Sequence, residues 1–396
     1  MSDGLITDEA LRELQGRLGK ERVVQEPYIE SVSSDTLRHM VYGLGDINTF
    51  WMDSLRSAAV GRSGRMAPPS IFYGVGWGGG DLRRGEGLPG VHALHAGDHW
   101  RFFDYACEGD RLSAFVGLRA VEVQPSRYAG KRVLQSRGIR FETNDGRALA
   151  ECVMSIIRAE RGATRTEGKY SSVELAKYSI EDLSVWDEAI LSEECQGESP
   201  RYWEDVNIGD AIPKLVRGPL TKGDIIVWQM AFGGVSHTKS GKRWVEYQRR
   251  HPTTLIRDPE SNVPQSVLMV HYDSAAARAV GMPAPYDIGA QRATWASVAV
   301  TNWMSDCGFL AELEVTFRGM NFIGDVTIIS GSVTRKWRSE SGNQFVELTL
   351  GGANQRGEET MPIRAVVALP SRKSGSVRLP LSTSELDLEG SNVSEA

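Results

Sequence analysis

The chain has 396 residues, with 45 Lys+Arg against 51 Asp+Glu and a net charge of −6. That length fits two domains of about 150–200 residues, and the acidic balance argues against a general nucleic-acid or membrane-surface binder. Cys107, Cys152, Cys195 and Cys307 form no CxxC pair, which argues against a cysteine zinc site and for thiols in a reducing compartment.

The first residues lack a basic segment followed by an apolar core, so no signal peptide is expected, and no apolar run is long enough to span a membrane. The expectation is a soluble, cytoplasmic protein. Asp8 to Gly19 reads as a short capped helix. From Tyr178 to Pro200 there is no Lys or Arg. Here Ser179 precedes a helical stretch with Leu183, Trp186, Ile190 and Leu191 on one side, which reads as a docked linker helix. The chain is therefore divided into residues 1–165, a linker at 166–200, residues 201–371 and a tail at 372–396. The tail is serine-rich without an aromatic residue, and disorder is expected.

The two halves show the same order of events. Trp51-Met52-Asp53-Ser54 and His271-Tyr272-Asp273-Ser274 each lead into an alanine-containing stretch, with their aspartates 220 apart (53 to 273). Gly109-Asp110 and Gly324-Asp325 each precede a long strand-like run, 215 apart (110 to 325). Each half then closes on a turn and strand: Asn144-Asp145-Gly146 in the first, Ser341-Gly342-Asn343 in the second. A helix followed by alternating strands in each unit predicts an α+β fold, two antiparallel sheets each curled around a central helix. In the second unit that helix is expected over 291–305. Asp273, before an alanine run, is expected to cap a helix.

Three other features suggest little chemistry. Gly78-Gly79-Gly80 lacks a following Gly-Lys-Ser/Thr, so it is no phosphate loop. His92 and His95 would face opposite sides of a regular strand, so with His99 they are not expected to bind metal. Arg127, Lys131, Arg132, Arg137 and Arg140 form a basic cluster around a strand pair, read as a solvated face or a contact for phosphates. No metal or redox cofactor is expected.

Several segments resemble the MaoC-like (R)-specific enoyl-CoA hydratase/dehydratase family. They are Gly45-Asp46-Ile47-Asn48, Met66-Ala67-Pro68-Pro69-Ser70 and Gly87 to His95 in the first half. In the second they are Val270 to Asp273, Pro285-Tyr286-Asp287-Ile288-Gly289 and Thr301 to Met304. The resemblance implies a double hotdog whose first unit is of the fatty-acid-synthase dehydratase type. It also implies hydration of a 2-enoyl-CoA, or dehydration of a 3-hydroxyacyl-CoA, by a homodimer acting on an acyl-CoA thioester.

The family motif is G-D-x-N-P-x-H, whose Asp and His activate one water. The first half keeps Asp46 and Asn48, with Thr49 for Pro and Trp51 for His. The second half has Gly233-Gly234-Val235-Ser236, then an insertion, and keeps His271. Each half lacks what the other retains, so the expected acid/base pair is Asp46 with His271, assembled in one cleft. The resemblance assigns substrate contact to Asn48, Trp51, His95, Tyr286, Asp287, Gly289 and Arg292, with the Gly289 N–H against the thioester carbonyl. Competing readings are a hotdog thioesterase using a carboxylate, and a non-catalytic acyl-CoA-binding subunit.

Overall fold

The computed structural model describes residues 5–386 apart from 62–63, 77–87, 89, 127–129, 161–169, 171–172, 234–239 and 253–254. In the first unit come α1 (Asp8–Gln15), β1 (Glu21–Val23), α2 (Ser34–Leu44), a 3-10 turn (Thr49–Met52), α3 (Ser54–Ala59) and α4 (Ile71–Gly76). Four strands follow: β2 (His92–Phe102), β3 (Leu112–Ser126), β4 (Gly130–Thr143) and β5 (Ala148–Ala159). The connecting α5 (Ile180–Leu191) leads to β6 (Ala211–Arg217), α6 (Lys222–Phe232), α7 (Gly241–Arg250) and the hairpin β7 (Leu255–Arg257) and β8 (Pro264–Ser266). A 3-10 turn (Val267–His271), α8 (Ser274–Ala279) and α9 (Gly289–Met304) precede β9 (Phe309–Thr316), β10 (Thr327–Arg338), β11 (Gln344–Asn354), β12 (Glu359–Leu369) and α10 (Thr383–Leu386).

The duplication is physical. Ser33 and Thr221 cap α2 and α6, which end at Gly45 and Gly233 in the left-handed conformation; both pairs are 188 apart. Asp53 and Asp273 cap α3 and α8 through their carboxylates and are 220 apart. The second unit thus carries 32 additional residues between Gly233 and its 3-10 turn, and these form α7 and the β7–β8 hairpin. Asp110 accepts the Cys107 N–H and pairs with Arg147, as Asp325 accepts the Phe322 N–H and pairs with Arg356. One part of the expected repeat is displaced. Arg137 pairs with Met154 and Leu348 with Ala365, both 211 apart. The Asn144–Gly146 hairpin is therefore the counterpart of the β11–β12 hairpin, not of Ser341–Asn343.

The strands form one ten-stranded sheet in the order β1-β3-β4-β5-β2-β9-β12-β11-β10-β6. The two half-sheets join edge to edge where β2 pairs antiparallel with β9, from Gly97 opposite Thr316 to Arg101 opposite Glu312. This pairing closes edges that would otherwise invite aggregation. A Cβ on Gly97 would meet the Val315 carbonyl oxygen at 2.5 Å, so the seam requires glycine there. Inside the second half-sheet, every residue of α9 from Ala290 to Met304 is buried. Its sequence is Ala-, Val- and Trp-rich with no acidic residue, as suits a core helix with no polar face. The first unit's counterpart is described only over Ile71–Gly76, all buried.

Two expectations need correction. The linker helix forms with its Ser179–Asp182 capping box, but Leu183 and Leu191 are exposed and none of its residues is buried. Its apolar stripe is only half docked, through Trp186 and Ile190. The predicted disordered tail is ordered through residue 386. Leu381 and Leu386 are buried in the main core, and the Leu381 N–H donates to the Phe103 carbonyl. Burying such side chains contributes about 2 kcal/mol each, enough to hold a serine-rich segment in place.

Candidate functional site

The start of α9 gathers the groups with chemical potential. Its cap residue, Ile288, is extended and offers no side-chain cap. The first-turn N–H groups therefore lack the side-chain acceptor that usually satisfies them. They carry the positive end of the helix dipole. A Cβ on Gly289 would stand 3.0 Å from His95 Nδ1 and 3.1 Å from the Phe317 ring, so glycine permits this close approach.

His95 comes from the first unit. It sits on β2 next to a bulge between His95 and Gly97 in the pairing with β5. On a regular strand His95 and Asp98 would face opposite sides. The bulge turns His95 so that its Nε2 lies 2.7 Å from Asp98 Oδ1, re-aiming a side chain as bulges beside active sites often do. Asp98 is 2% exposed. Its second oxygen accepts the Tyr73 hydroxyl, and the Trp100 indole N–H donates to that hydroxyl at 3.2 Å. Burial and the neighbouring Asp98 carboxylate push the Tyr73 phenol well above its ordinary range, so Tyr73 remains a donor. In the tautomer whose Nε2–H donates to the Asp98 carboxylate, Nδ1 is the acceptor nitrogen and lies beside Gly289. Asp98 and Tyr73 were missed from the sequence; a glycine inside the strand run, Gly97, was the available sign of a bulge.

His271 borders the same helix start from the second unit. It ends the 3-10 turn Val267–His271, and its Nδ1 lies 2.8 Å from the Tyr286 carbonyl oxygen. A carbonyl only accepts, so Nδ1 carries the hydrogen and the neutral ring presents Nε2 as a base. The Tyr286 ring packs edge-on against it at 4.8 Å. Asp287 is engaged elsewhere. It forms a buried ion pair with Arg292 and accepts the Asn321 N–H. Burial raises its pKa while Arg292 opposes the rise. Arg292 also donates to the Gly319 carbonyl at 2.8 Å and lies over the Phe317 ring. Asp287 and Arg292 thus brace the floor of the site.

Asp46 lies at the other end. Its Oδ1 accepts the Asn48 N–H at 2.8 Å and its Oδ2 the Trp51 indole N–H at 2.9 Å, while Asn48 Oδ1 accepts the Phe50 N–H. These are successive side-chain turns. Burial raises the Asp46 pKa to about 6. The neighbouring Gly45 carbonyl accepts from Arg217, which pairs with Glu193, which accepts from Asn302 near the end of α9. The Trp51 ring packs on Tyr105, whose hydroxyl donates to the Gly308 carbonyl. Asp46, Asn48 and Trp51 are therefore fixed at the C-terminal end of α9, and His271 and His95 at its start. A helix of 16 residues is about 24 Å long. The expected cleft shared by Asp46 and His271 does not form, and Trp51 fills the place where the motif has histidine.

The remaining histidines and basic residues singled out in the sequence are held apart in space. His99 pairs with Glu312, which also accepts from Arg364, so the three β2 histidines do not converge. Among the described residues no group of three His, Cys, Asp or Glu is arranged to hold a metal ion. Within the basic cluster Arg137 is fully buried and Arg140 pairs with Glu21 and Glu142, so the cluster is not one solvated face. Arg127 and the Gly78–Gly80 run lie outside the described residues. None of the described helices is long and apolar enough to cross a membrane.

Residues 22–152 match the family model of the FAS1-like dehydratase domain region. Among solved structures, a MaoC-like dehydratase is similar at a TM-score of 0.61 and 15% identity, over 90% of this chain and 99% of that one. A MaoC domain protein dehydratase from Chloroflexus aurantiacus is similar at 0.59 and 11% identity, over 90% and 96%. A conserved hypothetical protein of Mycobacterium tuberculosis, described as a double hotdog fold, is similar at 0.53 and 12% identity, over 90% and 98%. No curated protein matches by sequence. The central helix, the continuous ten-stranded sheet and these matches together give the chain a double hotdog fold like that of the MaoC-like dehydratases, with a first unit similar to the FAS1-like dehydratase region.

Proposed function

We propose that the protein is a lyase that adds water to a 2-enoyl-CoA, or removes it from a 3-hydroxyacyl-CoA, at the start of α9. The observation that carries this reading is an uncapped helix start flanked by His95 of the His95–Asp98 dyad, beside Gly289, and by His271, on the Tyr286 carbonyl three residues ahead of it. The thioester oxygen accepts from the first N–H groups of α9. As water oxygen bonds to C3, the C2–C3 π electrons move toward the carbonyl, and the helix start stabilises the enolate oxygen. His271 Nε2 takes the proton from water and returns one to C2. His95, held by Asp98, accepts a hydrogen bond from the other O–H of that water, which stays on the product as the 3-hydroxyl, and so orients the attack. Dehydration runs the same steps in reverse. The match of the first unit to a dehydratase region supports the reaction class.

The thioesterase reading is disfavoured by position, because the Asn48 and Trp51 N–H groups hold Asp46 at the far end of α9 from His95 and Gly289. Crotonyl-CoA mixed with the purified full chain tests the proposal. Loss of enoyl absorbance without free thiol is expected. Release of free thiol would make the protein a thioesterase, and unchanged absorbance across a series of enoyl chain lengths would leave only a binding role.

A further inference from the structure

The 32 residues that the second unit adds enter between the end of α6 and the turn that carries His271. Their helix, α7, has two unlike faces. At 100° per residue, Lys242, Arg243, Glu246, Arg249 and Arg250 fall within one third of its circumference. All five are exposed. Trp244, Tyr247, Gln248 and His251 fall on the opposite side, and the first three are half-buried. Trp244 stacks on Tyr247 at 5.9 Å and Tyr247 on His251 at 4.7 Å. The aromatic stripe is thus the packing side and the cationic stripe faces solvent.

The charges are mostly uncommitted. Lys242 approaches Glu246 at 3.8 Å, and Arg250 Nε donates to the Glu246 carbonyl within the helix. Arg243 and Arg249 have no partner among the described residues. Four cations against one carboxylate on one helix face stand out in a chain of net charge −6. A local positive field of this kind concentrates polyanions at its mouth.

Its place in the chain ties this field to the site. Five Cα–Cα steps, at most about 17 Å of chain, join Arg250 to Leu255, where β7 begins. β7 pairs with β8, packs on α8 and on the Val267–His271 turn, and β8 runs directly into that turn. The first unit has Trp51 instead of histidine and no such insertion. We infer that α7 holds the phosphates of the nucleotide end of coenzyme A while the thioester lies at the start of α9. This inference rests on the reaction site proposed above.

Full-chain protein and an Arg249→Glu/Arg250→Glu variant, both exposed positions, decide it. Two substrates are compared, crotonyl-CoA and crotonyl-pantetheine, which lacks the nucleotide. The expected result is a KM for crotonyl-CoA raised about tenfold or more in the variant, as loss of charge-assisted hydrogen bonds implies. The KM for crotonyl-pantetheine stays unchanged, and the gap between the proteins narrows in high salt. Equal KM values for crotonyl-CoA in the two proteins, or equal rises for both substrates, would overturn the inference. Calorimetry with adenosine 3′,5′-bisphosphate separates it from the catalytic reading. If neither thioester is hydrated, the reaction proposal fails, yet binding to the parent chain and not to the variant still supports α7. Equal binding, or none to the parent chain, refutes it.

Discussion

The two units share one plan but have different interiors. His95 and Asp98 pair across β2–β5 with Ile156 and Met154; 215 residues on, Leu310 and Leu313 pair across β9–β12 with Val367 and Ala365. Leu310 and Leu313 are buried apolar residues. Likewise Gln135 and Arg137, fully buried on β4, stand where β11 has Val346 and Leu348. The second unit is a conventional apolar core around a 16-residue helix. The first has placed polar groups in the corresponding wall. A buried polar group costs stability unless it is hydrogen-bonded, so such a wall is retained for what it binds or positions. The lesson is a division of labour: the second unit supplies a helix start and His271, and the first supplies the dyad whose histidine lies beside that helix start.

The comparison can be broken most forcefully by making the first unit resemble the second. Asp98→Leu removes the partner that fixes His95 and should reduce turnover by about 10² to 10⁴; the isosteric Asp98→Asn separates lost chemistry from lost packing, since circular dichroism should show it folded. Equal turnover in Asp98→Asn and the parent chain would place the reaction elsewhere.

Next in size is the contact by which the end of the chain fastens the first unit. Leu381 is 4% exposed and its N–H donates to Phe103. Leu381→Ala should lower unfolding free energy by about 2–5 kcal/mol, read from urea titration. A change below half a kilocalorie would return this segment to the disorder its composition suggested.

The Asp46 end predicts a pH effect. Its folded pKa of about 6 lies above the ordinary 3.8 because burial penalises the charged form. The folded state therefore binds more protons than the unfolded state between these values, and stability falls as pH rises through them. The full contribution is about 3 kcal/mol, present as destabilisation above pH 6 and absent below about pH 4. Asp46→Asn should flatten the melting temperature across that window relative to the parent chain. An unaltered slope would show that other groups set it.

The smallest effect concerns the seam. Gly97→Ala drives a Cβ toward the Val315 carbonyl and should cost about 1–3 kcal/mol, the usual range for overpacking. A neutral substitution would mean that β2 and β9 are less tightly joined than their pairing indicates.

Much of this was legible in the sequence because it depends on local chemistry. Asp53 and Asp273 cap helices where aspartate precedes a helix-forming run, and α9 shows itself through an apolar stretch too long for a strand. What was not legible depends on the relation between distant elements. Asp46 and His271 looked complementary because each completes the other's motif. However, β2 and β9 run antiparallel, so equivalent points of the two units lie at opposite ends of their shared seam. The His95–Asp98 dyad was hidden for another reason: one bulge shifts the two-residue period, and alternation alone then assigns the side chains to the wrong faces. The order of residues 371–386 was masked by serine content, although Leu379, Leu381 and Leu386 carry the packing.

The central claim is that chemistry occurs at the start of α9 and not at the Asp46 end. Steady-state hydration of crotonyl-CoA by His271→Ala and Asp46→Asn, measured side by side at pH 7.5, tests it most directly. The account predicts a fall of about 10² to 10⁴ in kcat for His271→Ala, with thioester binding retained, and a kcat within about threefold of the parent chain for Asp46→Asn. A comparable collapse in Asp46→Asn, or full activity in His271→Ala, would contradict it.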